Sequence, residues 1–162
     1  ILWVCAVVGL SGCVATEYND IYSDYPVEFD DKDNEVVITD EIGMTLGLYE
    51  EQLFRGLDDI DEVPVIHGFQ GGTWIHLSVR VTGLPSDGMI EASLGDVGSI
   101  RYGLKLTRSP EGFLEAYDIP IPVPLSEDDL DDLYGQELEL KAVFTSRGEA
   151  ASMTLRVVVI EG

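Results

Sequence analysis

The amino-acid sequence predicts an all-β domain, an antiparallel β-sandwich of immunoglobulin-like (Ig-like) or fibronectin type III-like architecture with one short helical turn. Three observations point there. About eight short runs alternate apolar and polar residues with the period of two that marks a half-buried strand. Clusters of Gly, Pro, Asp and Ser separate these runs at short intervals, as turns do. One stretch alone, Ser126 to Gly135, carries the start and stop signals of a helix. The cysteine pair and tryptophan spacing of antibody domains are missing, so the expected likeness is one of architecture, with a jelly roll or a small barrel as the alternative.

Taken in order, Val36 to Thr39 and Met44 to Leu48 are short β-type runs, and the acidic, irregular residues 49–62 read as a loop or helical turn. Val63 to His67 is a short strand leading into a glycine-rich turn. The longest alternation follows, with Ile75, Leu77, Val79 and Val81 set against Trp74, His76, Ser78, Arg80 and Thr82. Gly71-Gly72 in front of it offers the positive-φ freedom that a tight turn needs. Pro85 to Gly88 is a turn by composition, and Met89 to Leu94 sends Ile90, Ala92 and Leu94 inward. Gly95 to Gly98 closes a hairpin onto a strand lined by Ile100, Tyr102, Leu104 and Leu106.

After a turn at Ser109 to Gly112, Phe113 to Ile119 is a strand. Prolines 120, 122 and 124 cannot donate to a ladder, so the run that holds them is an edge or an extended crossing. In the helix Ser126 serves as N-cap, Asp129 stands at the capping-box position, and Leu130, Leu133 and Tyr134 cover the end of the core. Its acidic run, Glu127 to Asp132, reads as a solvated face. Leu138, Leu140, Ala142 and Phe144 then line one strand, and Met153, Leu155, Val157 and Val159 the next, across a turn at Ser146 to Glu149.

The 162 residues carry 31 acids against 9 bases, a formal net charge of −22. Phosphate binding needs a basic footprint, so nucleic acid is set aside as a partner. The clustered acids Asp30, Asp31, Asp33 and Glu35 do not make an EF-hand, because a loop begun at Asp31 has Val36 at the turn glycine and Ile42 at the bidentate carboxylate.

The first residues, ILWVCAVVGLSGC, form an apolar run too short to span a bilayer as a mature helix, ending in small residues before a cysteine. Leu10-Ser11-Gly12-Cys13 matches the lipobox, and the N-terminus resembles a bacterial lipoprotein precursor. With no initiator methionine and no basic n-region, residues 1–12 read as a truncated signal peptide. The resemblance implies acylation of Cys13. Two or three acyl chains, at about 0.8 kcal/mol per buried CH₂, anchor stably where one would not. Cys5 leaves with the signal, so the mature chain has no disulfide. Val14 carries no acidic retention signal, which implies the outer membrane, at its periplasmic or surface face. Residues 13–34 are then the lipidated cysteine and an acidic tether extended by self-repulsion, and residues 35–162 the β-domain.

The glycine turn and the strand after it hold the best site candidates. Gly68, Gln70, Gly71, Gly72, Trp74 and His76 resemble, loosely, the Gly-x-Gln-Gly-Gly turn followed by an aromatic residue and a histidine in uncharacterised myxobacterial-type lipoproteins, from which Phe69 and the spacing of Thr73 and Ile75 depart. That resemblance implies a structural turn, with Gln70 satisfying backbone groups, and no activity. Trp74 on a half-exposed strand is an anchor type for protein or glycan contact, and Gln70, Trp74, His76 and Arg80 form the candidate binding surface. The serines lie in no nucleophile elbow, no P-loop or GxGxxG exists, and no cofactor is expected. The sequence thus points to a non-enzymatic envelope lipoprotein with a binding or structural domain. The alternative is a periplasmic Cu or Zn site using His67 and His76.

Overall fold

The computed structural model describes residues 41–68, 72–124 and 126–162. The lipobox with Cys13, the tether, the expected strand Val36 to Thr39, and Gln70 lie outside the described residues. The described part is all-β with one short helix. Its strands are β1 (Gly43–Glu50), β2 (Leu53–Gly56), β3 (Asp61–His67), β4 (Thr73–Thr82), β5 (Asp87–Leu94), β6 (Gly98–Lys105), β7 (Thr107–Arg108), β8 (Leu114–Pro122), β9 (Glu137–Ser146) and β10 (Glu149–Glu161), with helix α1 (Glu127–Leu133) between β8 and β9. None of its helices is long and apolar enough to cross a membrane.

The strands form one connected, strongly curled mixed sheet in the order β2-β1-β4-β3-β10-β9-β5-β6, with β8 on the other edge of β4 and β7 on β8. The expectation of a wholly antiparallel sheet is corrected at one pair: β3 runs parallel to β10, from Val157 opposite Asp61 to Glu161 opposite Val65. The same strand turns antiparallel to β4 at its end, with Ile66 opposite Trp74 and His67 opposite Thr73. β3 thereby joins an arm β2-β1-β4-β8-β7 to an arm β3-β10-β9-β5-β6. A second link is Leu106, which is buried, ends the hairpin partner of β5, and lets the chain cross to β7 against β8.

Alternation set by the sequence fills the space between the arms. From one come Leu46, Leu48, Ile75, Leu77, Val79, Val81, Ile119 and Ile121; from the other Val63, Val65, Ile90, Leu94, Leu140, Phe144, Val157 and Val159, all buried. Leu130 and Leu133 of α1 are buried against the same cluster. Ser126 caps the helix as the sequence predicts, its Oγ accepting from the backbone N–H of Asp129. The proline run belongs to β8, with Pro120 opposite His76 and Pro122 opposite Trp74. Beyond the short β7 pairing at Leu114 and Glu115, β8 has only β4 as a ladder partner among the described residues, so the prolines sit on an edge that tolerates them.

Residues 49–62 differ from the expected loop. Glu51 and Gln52 form a two-residue hairpin turn with φ of 51° and 67°, and β2 folds back on β1. Such turns favour Asn or Gly, whose absence hides the hairpin from a sequence reading. The chain then passes to the other arm through Asp59, which accepts from the backbone N–H and guanidinium of Arg156 on β10. That hydrogen bonding holds the Asp59 carboxyl below its usual range.

The turn of β9 into β10, Arg147-Gly148, has φ of 49° and 88° and carries the glycine that Glu51-Gln52 lacks. Gln52→Gly is therefore expected to raise stability by about 1 kcal/mol, because the left-handed conformation costs glycine nothing. Urea midpoints of the two proteins check this.

Candidate functional site on the outer face of β4

The outward residues of β4 are those the alternation predicts, Trp74, His76, Ser78 and Arg80. β1 flanks β4 on one edge and β8 on the other.

At one end Trp74 lies over the glycine turn. The turn is closed by the Gly68 N–H donating to the Gly72 carbonyl at 2.8 Å. A Cβ on either glycine would collide with the indole ring. Neither has a left-handed φ, so these glycines serve close approach of an aromatic ring, and the expected positive-φ role of Gly72 is corrected. Gly68 and Gly72 thus cover one part of the ring, and the residue is half-buried.

His76 comes next, its Nδ1 3.6 Å from Asp118 Oδ1, with side-chain exposures of 36% and 50%. Asp118 sits at a β-bulge. Leu77 opposes Ile119 and Val79 opposes Ala116, so Tyr117 and Asp118 together face Ser78, and Asp118 takes a φ of 53°. The bulge also switches the inward face of β8 from Ala116 to Ile119 and Ile121. Ser78 is fully buried, and its Oγ has no hydrogen-bond partner among the described residues. Tyr49 of β1 and Tyr117 of β8 reach toward each other across β4, ring centroids 4.4 Å apart and planes tilted by 39°.

Arg80 anchors the far end. Its Nε donates to Glu115 Oε1 at 2.6 Å and its Nη2 to Glu111 Oε2 at 3.1 Å. The guanidinium lies 3.9 Å from the Phe113 ring centroid and 4.6 Å from that of Phe54. Phe54 reaches it from β2 across Gly47, where a Cβ would strike its ring. Glu115 is 1% exposed and directly opposite Arg80, and its second oxygen accepts from the Tyr117 hydroxyl. Burial first, and then the hydrogen bond and charge of Glu115, push the Tyr117 phenol well above the usual tyrosine range.

Of the expected contact residues, the structure brings Trp74, His76 and Arg80 onto one face and commits Arg80 to an ion pair. It does not bring the two histidines together. His67 is opposite Thr73 and shares its face, whereas His76, three residues on, points to the other face. His67 Nε2 is hydrogen-bonded with the Tyr134 hydroxyl at 3.2 Å. Among the described residues no group of three His, Cys, Asp or Glu side chains is placed to hold a metal. Sequence reasoning missed Tyr49, Phe54, Phe113, Glu115, Tyr117 and Asp118. The alternation of Glu115 and Tyr117 against Leu114 and Ala116 was a visible signal, but register alone puts them opposite β4. An open depression of about 400 Å³ lies elsewhere, on β5, β6 and β9, with Ser93, Ser99, Arg101 and Lys141 in its lining and Arg101 paired to Glu91 at 3.0 Å. The chain matches no known protein family, no curated protein and no solved structure.

Two outcomes follow from this geometry. Gly68→Ala, which displaces the indole, is expected to cost about 1–3 kcal/mol and to red-shift the tryptophan emission. The second concerns alkali. A raised folded-state pKa at Tyr117 gives stability that is fully present below the ordinary phenol value of about 10 and is lost as pH rises beyond it. Wild-type urea midpoints are expected to fall between about pH 9 and about pH 11, and Tyr117→Phe, with no proton to lose, to fall less steeply over that interval.

Proposed function

We propose that this chain is a non-enzymatic envelope lipoprotein, anchored through Cys13, probing a protein or glycan partner with the outer face of β4. The observation that carries the reading is the row Trp74, His76, Ser78 and Arg80. Trp74, His76 and Arg80 are each held by a glycine, acidic or aromatic neighbour, while Tyr49, His76 and Asp118 stay partly exposed. Side chains held by packing on a strand give a preformed contact surface, and binding to it costs little ordering entropy. The anchor rests on Leu10-Ser11-Gly12-Cys13 at the end of an apolar run, and an outer-membrane location rests on Val14.

We read the curled sheet as an Ig-like sandwich. Taking β1, β4, β8 and β7 as strands A, B, E and D, and β5, β9 and β10 as C, F and G, gives the pairing order of a constant-type domain. β6 then extends the second sheet beside C, and β3 is the part of the first strand that crosses to pair with G.

In a Gram-negative host the full chain, given an initiator and basic leader, is expected to incorporate labelled palmitate and to lose the label in Cys13→Ala. Label retained in that variant contradicts the anchor. A photo-reactive residue at position 49 is expected to give discrete envelope adducts, and one at position 154, exposed on β10, to give none. Equal adducts at the two positions contradict the contact surface.

A further inference from the structure

The face of β4 already holds one cation, and the way it does so indicates what it recognises. The Arg80 guanidinium is stacked between two aromatic rings and bonded to two carboxylates. The same components recur farther along the strand, turned to solvent. Tyr49 is 39% exposed and leans on Tyr117. The β1–β4 register ends with Gly47 opposite Ser78, and Tyr49, two residues farther along β1, lies on the same face with its ring against Tyr117, the neighbour of Asp118 on β8. Asp118 stands on the other flank, held outward at the bulge and half-exposed, with His76 as its only ion-pair neighbour among the described residues.

Resting on the contact-surface reading above, we propose that Tyr49, His76 and Asp118 form a recognition point for a guanidinium or ammonium group presented by a basic segment of a partner protein. A tyrosine ring face attracts a cation, and the neighbouring carboxylate supplies a charge-assisted hydrogen bond. The two rings touch at a 39° tilt, which gives no flat platform for a sugar ring and leaves the solvent side of the Tyr49 ring as the surface a cation can reach. Charge complementarity favours the same partner class. A chain of net charge −22 draws a basic partner in from a distance and gives a neutral glycan no such steering.

The test titrates the full chain, in about 0.15 M salt to screen diffuse attraction, with a fluorescent decapeptide of alternating Arg and Gly, a matching Glu and Gly peptide, and chitotetraose. Asp118→Asn keeps a residue that tolerates the left-handed backbone. Tyr49→Leu removes the ring, and Glu139→Gln removes one charge from the outward side of β9, on the other arm. The Arg peptide is expected to bind, and to weaken about fivefold in Asp118→Asn and in Tyr49→Leu while staying within about twofold in Glu139→Gln. Equal weakening in Asp118→Asn and Glu139→Gln means diffuse attraction and overturns the inference, as does a failure of the Arg peptide to bind. Chitotetraose binding that depends on Tyr49 and ignores Asp118 also overturns it, yet leaves the contact surface standing. Adducts at position 49 judge that surface separately.

Discussion

Glu115 carries an ionisable carboxyl into a place with 1% exposure, and the outer half of this domain is arranged to answer it. A buried carboxylate without partners costs several kcal/mol, so its neighbours are constrained in type and in position. Arg80 takes one oxygen and Tyr117 the other. Arg80 in turn is kept from water by Phe54 and Phe113, which draws the β1–β2 hairpin and the β7–β8 turn onto the same face. Gly47 lets Phe54 lie flat enough to reach it. With Arg80 opposite Glu115 the register of β4 on β8 is set, and with it the bulge that turns Asp118 outward. A contact surface two residues away is therefore tied to one charged pair.

The inner side follows a different rule. Apolar alternation on β4, β5, β9 and β10 needs only to face inward, and the hydrophobic effect does not specify which strand meets which. Pairing is settled by the segments that belong to both arms. β3 pairs with β10 for most of its length and with β4 at its tip, and Leu106 is the buried step between β6 and β7. Asp59 fastens the crossing before β3 to Arg156. The resulting curl gives one common core for strands far apart in sequence.

What could be read from the chain divides along that line. The strands Met89 to Leu94, Glu137 to Ser146 and Thr73 to Thr82 were legible because burial on one face imposes a period of two, and Ser126 was legible because capping is local chemistry. The hairpin at Glu51-Gln52 was not, since neither residue is the usual answer to a positive φ. The parallel contact of β3 with β10 joins residues about a hundred positions apart and leaves no local trace. The same holds for the site. Trp74, His76 and Arg80 could be placed on one face from alternation alone, but Glu115, Tyr117 and Tyr49 join them only through register. The glycines beside Trp74 were visible as a turn, while their service to the indole ring depends on a side-chain position.

A double-mutant cycle on Arg80 and Glu115, using Arg80→Met and Glu115→Gln with unfolding free energies from urea titration, probes the dependence of this face on its charged pair. Arg80→Met strands the buried Glu115 carboxylate and is expected to cost about 3 kcal/mol. Glu115→Gln leaves the part-exposed Arg80 its bond to Glu111 and is expected to cost about 1.5 kcal/mol. The double variant is expected to cost no more than Arg80→Met, a coupling of about 1.5 kcal/mol. Costs that simply add, with coupling below about 0.5 kcal/mol, would show that the two side chains act independently and that the face does not depend on them as a pair.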